Sequence, residues 1–258
     1  MGTVAPVLGP TIEELRAVAL AADDAGGFFA AMYARVTDRV QGAIADGRFG
    51  DGARMARFAR TFADWYVGPR HGTRALPDCW KAADDVSDDR RLLIVQHLLL
   101  GMNAHVNHDL PQVVVELAGA GQPDGAADEP SLDGSLDDLR PDFDAINDIL
   151  AATQPEILRD LGRVAGWTQL AVAWGGGRVF NFSLARARDQ AWGSAERLHR
   201  AGANDRRADV AELDRLVTVL AHLITRPSAP VSWLLPIPRW LEEDDPRLVT
   251  RQLLGHLA

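Results

Sequence analysis

The sequence has almost no cysteine, almost no lysine and no long apolar run. Cys79 is the only cysteine in 258 residues, which excludes an intrachain disulfide and a metal cluster built from several cysteines. Lys81 is the only lysine among 27 basic residues, a bias that we attribute to coding rather than to a phosphate-binding patch. No apolar run reaches the roughly 18 residues that a membrane helix needs, so no membrane span is expected.

Basic residues are also fewer than acidic residues. The net charge is −9, with 36 acidic residues against 27 basic ones. A surface of this sign repels nucleic acid and anionic membranes, so such partners are not expected. The N-terminal "MGTVAPVLGPTIEEL" has no basic segment followed by an apolar one, and we therefore expect no signal peptide and a soluble cytoplasmic protein.

Helical periodicity, by contrast, extends over most of the chain. Apolar residues recur three or four apart between Phe28 and Tyr66, and Asp51 is placed to cap the second helix of that stretch. A capping box in "TIEEL" predicts a helix that starts at Thr11. We predict an all-α, single-domain helical bundle around a buried central helix, with helices over residues 88–110, 135–152, 154–164, 180–202 and 206–224.

Two stretches interrupt this pattern within a chain that we interpret as one domain, 1–258. Residues 118–134 are rich in glycine, alanine, proline and aspartate and are predicted to form a flexible loop. Residues 226–240 carry four prolines and two tryptophans and are predicted to lie extended on the domain. The two tryptophans, Trp233 and Trp240, are placed to cover a pocket.

The segment "HLLLGMNAHVNHDLP", which begins at His97, sets polar residues into an otherwise apolar helix. His105 and Asp109 are four residues apart, so their side chains converge on one face of a helix. Asp109 can there orient His105 as a catalytic acid or base. Asn103 and Asn107 form a second pair at the same spacing, able to polarise a carbonyl or hydroxyl group. His97, two turns away, can line the same cleft.

Two alternatives stay open for this segment. His105 and Asp109 also have the spacing of two ligands of Zn²⁺, Fe²⁺ or Mn²⁺, although a catalytic metal usually needs a third protein ligand. The segment can equally be a buried polar network in which every group is hydrogen-bonded within the protein. The candidates for a third metal ligand, none at a diagnostic spacing, are His71, His97, Asp189 and His222.

Other positions complete the predicted site. Asn147 lies between apolar residues of its helix and is predicted to face the central helix. Arg188, one turn before Trp192, can enter a cleft and bind an anion or a carbonyl group. The small residues Gly101 and Ala104 leave room beside the histidines for a crossing helix or for a ligand.

Several stretches of the chain resemble a bacterial protein family of unknown function. Besides the central segment they are "FFAAMYARVT", "GRFGDGARMARFARTFADWY", "DFDAINDIL" and "RARDQAW", so the resemblance covers most of residues 28–222. The motif typical of the family is an Asn-Ala-His-(Ile/Val)-Asn-x-Asp-Leu helix, which stands here at 103–110. The resemblance implies an all-helical fold and no particular reaction. It marks as site positions His97, Asn103, His105, Asn107, Asp109, Asn147, Arg188 and Trp192.

We therefore expect an enzyme that acts on a small, largely apolar molecule bearing a polar or carbonyl group. His105 is the expected acid or base, with Asp109 as its orienting partner. Cyclisation, isomerisation, elimination and hydrolysis all stay open. A non-catalytic helical protein that binds a small molecule in the same cleft is the rival class. The preferred scheme uses no cofactor, and a divalent metal at His105 and Asp109 is the alternative.

Overall fold

The part of the chain that the structure describes is mostly helical and has no strand, which confirms the all-α prediction. A computed structural model describes residues 7–118, 136–168, 176–226 and 236–255. Trp233 and residues 119–134 of the predicted loop lie outside these ranges. In chain order the elements are α1 (Gly9–Ala21), α2 (Gly26–Ala45), α3 (Gly52–Arg70), α4 (Asp78–Asp84), α5 (Ile94–Ala104), a π-helical turn (His105–Asp109), α6 (Leu110–Leu117), α7 (Leu136–Val164), α8 (Gly176–Arg200), α9 (Ala203–Thr225), α10 (Pro236–Arg239) and α11 (Pro246–Leu253).

The starts of α1 and α3 show how local signals compete. Asp51 caps α3 as predicted, since its side chain accepts the N–H of Arg54 at 2.8 Å. The prediction for α1 is wrong, because the helix begins at Gly9 and already contains Thr11. Pro10 in the first turn explains the earlier start, since its fixed φ suits a helix and its missing N–H would have no partner there.

α7 is one helix where the sequence predicts two. The hydroxyl of Thr153, the residue between the two predicted helices, donates to the carbonyl of Ile149 one turn earlier at 2.7 Å. Pro155 lies inside the continuous helix. The buried face of α7, which includes Phe143 and Ile146, packs against the rest of the molecule and outweighs the local signals for a break.

The central helix begins and ends later than the predicted 88–110. α5 starts at Ile94, whose N–H is accepted by Oε2 of Glu242 at 2.9 Å. Pro111 neither ends nor interrupts the helical path, because it falls in the first turn of α6. The π-helical turn precedes it, and there the N–H of Leu110 reaches back five residues to the carbonyl of His105. A proline in the first turn after such a change of winding is tolerated.

α2 and α5 approach closely where they cross at Gly101. A β-carbon on Gly101 would lie 2.5 Å from the ring of Phe29. Of the two uses that the sequence leaves open for the small residues, a crossing helix is therefore the one that the structure has at Gly101. The contact brings the buried aromatic face of α2 against the polar segment that follows α5.

The two largest of three hydrophobic clusters in the described core meet around α3. One gathers Phe29, Tyr33, Tyr66 and Trp80 with parts of α5. The other is built mainly from α3, α6, α7 and α8. Phe62 of α3 packs against both clusters, so the boundary between them passes beside the π-helical turn.

Within the C-terminal residues 236–255, α11 packs against α2 and α7, and Glu242 reaches the start of the central helix. Glu242 binds the start of α5 through Ile94 and accepts the indole N–H of Trp167 at 2.8 Å. Pro236–Arg239 is a short helix, where an extended segment is predicted, and Trp240 is 86% exposed rather than covering a described pocket. Among the helices described here, none combines the length and apolarity needed to cross a bilayer.

Candidate functional site

Asp109 is a buried carboxylate that accepts three side-chain N–H groups. Its Oδ2 accepts the indole N–H of Trp80 at 2.9 Å and lies 3.0 Å from Nδ1 of His105. Its Oδ1 lies 2.8 Å from Nδ1 of His108. Burial alone raises the pKa of Asp109, but the hydrogen bonds from the two histidines outweigh it and lower the pKa, so the carboxylate is ionised.

Both histidines are therefore held in one tautomer. When Nδ1 of each ring carries the proton and donates a hydrogen bond to Asp109, Nε2 is left as an acceptor. In His108 this acceptor lies 3.2 Å from the side-chain nitrogen of Gln112. The π-helical turn places the two rings on opposite oxygens of one carboxylate, although they are only three residues apart. Asp109 thus orients two imidazoles, of which the sequence predicts only His105.

The ring of His105 is enclosed by aromatic side chains. It stacks on Phe62 with 3.6 Å between ring centroids and a 7° angle between the planes. The rings of Tyr33 and Phe29 meet it edge to face at 4.6 and 5.4 Å. Burial lowers the pKa of His105 in spite of the neighbouring Asp109, so the ring is neutral near pH 7. Its Nε2 is buried and has no hydrogen-bond partner among the described residues.

A cavity of about 270 Å³ lies beside this ring. Its walls come from α2, α3, α5, α7, α8 and the segment after α7, and they are almost entirely apolar. His105 contributes to the wall at one place and Arg188 at another. The size and lining are those of a site for a small apolar molecule with few polar groups. The residues that line the α2 and α3 side are Phe29, Met32, Tyr33, Val36, Thr37, Val40, Phe58, Ala59 and Phe62.

Arg188 is the charged residue of the cavity wall. It is 3% exposed, and its Nε and one terminal N–H bind Oδ1 of Asn147 at 2.8 Å and the carbonyl of Phe143 at 2.7 Å. Its guanidinium carbon lies 4.1 Å above the Phe143 ring. Burial lowers the pKa of Arg188 to about 10, so it still carries its charge near pH 7. It forms no salt bridge with a carboxylate in the described part of the chain.

Tyr33 adds a hydroxyl group to the residues of the same wall. Burial, followed by the charge of Asp109 and the neighbouring Tyr66, raises the pKa of Tyr33 well above its usual value. The phenol therefore stays protonated near pH 7 and can act as a hydrogen-bond donor. The aromatic periodicity of α2 identifies Tyr33 only as a core residue. Its place beside His105 depends on how α2 packs, which no local signal reveals.

Asn103 and Asn107 of the central motif do not line the cavity. Asn103 donates to the carbonyl of Val217 in α9 at 2.9 Å, and Asn107 donates to Oδ1 of Asn103 at 2.9 Å. They form an amide chain that ties the central segment to α9, and neither belongs to the cavity wall. The structure therefore does not bring them together with His105.

His97 and Trp192 also lie away from the cavity wall. His97 packs edge to face on Phe28 with 6.0 Å between centroids. Trp192 lies against Phe143 at 4.8 Å and donates to Glu196 at 2.9 Å. Asn147, in contrast, reaches the site through its hydrogen bond to Arg188.

The suggested third metal ligands do not join His105 and Asp109. His71 is half exposed beside Glu14, at 3.5 Å. Asp189 pairs with Arg140 at 2.9 Å, and His222 is exposed on α9. Both oxygens of Asp109 already accept N–H groups, so its geometry is that of a carboxylate that orients histidines.

Comparison with known proteins gives one match. The model of a family described as "Family of unknown function (DUF5995)" matches residues 9–227 of the chain. Neither the curated proteins nor the solved structures contain a match.

Proposed function

The chain belongs to DUF5995, a family of unknown function, and we propose that it is an enzyme that moves protons on a small, largely apolar molecule. His105 is the base, Asp109 orients it, and the cavity holds the substrate. The observation that carries the proposal is the buried Nε2 of His105, a residue of the cavity wall, which has no hydrogen-bond partner among the described residues. A buried acceptor without a partner costs roughly 1–3 kcal/mol, which a ligand that donates to it would recover.

The chemistry suits a substrate whose C–H or O–H group is activated by a neighbouring carbonyl group. Nε2 of neutral His105 takes the proton, and Asp109 stabilises the imidazolium that forms. The same nitrogen then returns the proton at another atom, as in an isomerisation, or to a leaving group, as in an elimination. The phenol of Tyr33 is a suitable donor to a carbonyl oxygen that gains negative charge. These steps need no group beyond the substrate and the chain's own residues.

Arg188 is the residue that we propose to bind the polar end of the substrate. A buried guanidinium with no carboxylate partner in the described chain favours a ligand that brings a carboxylate or a carbonyl oxygen. The apolar walls between Arg188 and His105 then accommodate a hydrocarbon body. We infer a small apolar acid or keto compound as the substrate class. The buried free thiol of Cys79 is consistent with the cytoplasmic location that we propose.

Deuterium incorporation tests the proposal without a known product. The protein is incubated in D₂O with a panel of apolar carboxylic acids and ketones, and mass spectrometry detects exchanged C–H positions. We expect exchange by the wild-type protein and a loss of about 100-fold or more in His105→Asn. The asparagine amide can replace the Nδ1 donor to Asp109 but removes Nε2. Arg188→Met is expected to raise the KM for acids.

Controls separate the rival outcomes. His222→Gln changes an exposed histidine on α9, and this variant is expected to catalyse deuterium exchange at the wild-type rate. Binding of a panel compound with no exchange by any variant would make the protein a binding module instead. Unfolding of His105→Asn, measured by circular dichroism, would support a purely structural polar network. Undiminished exchange in a folded His105→Asn protein would contradict the role of His105.

A further inference from the structure

Three metal-binding side chains from distant parts of the sequence meet behind Asp109. They are Cys79 in the first turn of α4, His108 in the π-helical turn and Asp214 on α9. One ligand atom from each lies within 4.8 Å of the other two. Cys79 and His108 are buried, while Asp214 is half-buried and opens towards solvent. In the described part of the chain, this is the place where three such groups come together.

The orientation of His108 fits a metal ligand. Its Nδ1 lies 2.8 Å from Oδ1 of Asp109, so the N–H on that side binds the carboxylate. Nε2, which lies 3.2 Å from the side-chain nitrogen of Gln112, is then the nitrogen that can coordinate a metal. A carboxylate behind a histidine in this way fixes the ring and raises its strength as a ligand. Trp80 in turn donates to the other oxygen of Asp109, so the orienting carboxylate is itself held in place.

Asp214 is fixed independently of any metal. Its two oxygens accept the backbone N–H groups of Asp78 at 2.9 Å and of Cys79 at 2.8 Å. Each carboxylate oxygen retains a lone pair after accepting one hydrogen bond. Burial, then the hydrogen bond with Asp214, raises the pKa of the Cys79 thiol, which is therefore protonated in the metal-free protein.

The structure assigns to Cys79, His108 and Asp214 a zinc site that is separate from the cavity. A thiolate, an imidazole and a carboxylate form a mixed S, N and O ligand set that Zn²⁺ accepts, with water as the fourth ligand. The two anionic ligands balance the charge of the ion. Binding breaks the S–H bond of Cys79, forms a Zn–S bond and releases the proton to solvent. The side-chain nitrogen of Gln112, 3.2 Å from Nε2 of His108, turns aside in the process.

A zinc ion there would connect α4, the π-helical turn and α9. None of its three ligands belongs to the cavity wall, so its role is to hold Asp109 and the histidines in register rather than to bind substrate. The assignment does not depend on the proposed reaction, because it rests on a different set of side chains. Metal binding and deuterium exchange can therefore succeed or fail separately.

Cobalt and zinc binding to the tag-free full-length chain test the site. After treatment with a chelator, the wild-type protein is titrated with Co²⁺ and followed by absorption spectroscopy. We expect one equivalent to bind with the thiolate-to-cobalt charge-transfer band and the intense visible bands of a tetrahedral site. Zn²⁺ should displace the cobalt and raise the Tm. Absence of binding, or cobalt spectra without the thiolate band, would overturn the assignment, and neither result needs a variant.

Single substitutions identify the ligands. The variants are Cys79→Ser, which keeps a hydroxyl donor for Asp214, His108→Asn, which keeps a donor for Asp109, and Asp214→Asn. Loss of a ligand should weaken the Kd for zinc by more than the roughly 10- to 100-fold that loss of an outer partner costs. His222→Gln on α9 is the matched control for adventitious binding to a surface histidine and should leave the Kd unchanged. Unchanged affinity in a folded Cys79→Ser protein would refute the site.

Discussion

At the scale of single residues, Asp109 decides the chemistry of the central segment. A buried carboxylate is tolerated only where hydrogen bonds replace its hydration, and Asp109 has donors on both oxygens. The same hydrogen bonds fix the tautomers of His105 and His108. One acidic side chain thereby orients one imidazole in the cavity wall and a second imidazole that lies beside Cys79 and Asp214.

The indole of Trp80 is predicted to stabilise Asp109. Trp80→Phe keeps an aromatic ring but removes the N–H donor to the buried carboxylate. We expect the free energy of unfolding to fall by about 1.5–3 kcal/mol, the usual worth of a hydrogen bond to a charged group. Chemical denaturation at pH 7 measures the change.

Trp65→Phe is the matched control for this substitution. Trp65 donates to Glu116 at 2.8 Å, but on the surface, where water can replace the lost donor. The same change of side chain should there cost about 1 kcal/mol or less. Equal losses at the two positions would mean that ring size, and not the bond to Asp109, determines the effect.

At the scale of elements, the crossing of α2 and α5 positions the site. Gly101 lets Phe29 approach the central helix, and Phe29 and Tyr33 of α2 then enclose His105. The π-helical turn that follows displaces the side chains after His105 relative to a regular helix. The spacing of four residues therefore predicts the pair His105–Asp109 correctly but not the position of His108 on the other oxygen of Asp109.

Gly101→Ala is predicted to destabilise the crossing. The new β-carbon would overlap both the β-carbon and the ring of Phe29, so the two helices must separate. Overpacking of this kind costs about 1–3 kcal/mol. Thermal and chemical unfolding measure the loss.

Gly193→Ala is the control on α8. No described atom lies within 4 Å of a β-carbon built there, so alanine should stabilise the helix by up to about 1 kcal/mol through its better propensity. A Gly101→Ala protein that is as stable as Gly193→Ala would show that α2 and α5 are not in close contact.

At the scale of the whole molecule, buried ionic contacts between distant segments hold the helices together. Asp142 of α7 accepts the backbone N–H groups of Gly50 and Asp51 at 2.6 and 3.1 Å and the guanidinium of Arg54 at 2.7 Å. Burial raises the pKa of Asp142, but these donors outweigh it and lower the pKa below the ordinary 3.8. Asp142 thereby ties α7 to the loop before α3.

Asp142 is predicted to make the fold sensitive to acid. Because its pKa is lower in the folded chain than in the unfolded one, its contribution is complete above about pH 4 and is lost as the pH falls through the folded pKa. Asp142→Asn should lower the free energy of unfolding at pH 7 by about 1–3 kcal/mol. It should also make the decline of stability below pH 4 shallower. Urea denaturation over a pH series measures both effects.

Asp144→Asn is the control on the same helix. Asp144 pairs with Arg140 at 2.8 Å in a largely exposed contact, so its loss should change stability by about 1 kcal/mol or less. If the free energy of unfolding declined below pH 4 in the same way in the wild-type protein and in Asp142→Asn, Asp142 would be ruled out as a source of the pH dependence.

The sequence by itself determines the helical class, the cap at Asp51 and the pairing of His105 with Asp109. These features follow from residues within four positions of one another, where the geometry of a helix fixes which side chains can meet. The same reasoning places Arg188 in a cleft only as a hypothesis, and it groups Asn103 and Asn107 with His105 although neither lines the cavity. An i, i+4 pair shows that two side chains are neighbours but not what third group they bind.

Only the tertiary structure decides which distant groups meet the central segment. Trp80 reaches Asp109 across 29 positions, Asn103 reaches Val217 across 114, and Asp214 reaches Cys79 across 135. These contacts depend on which helix faces pack together, and many alternative packings are compatible with the same apolar periodicity. The cavity, the free Nε2 atom of His105 and the cluster behind Asp109 exist only once one packing has formed.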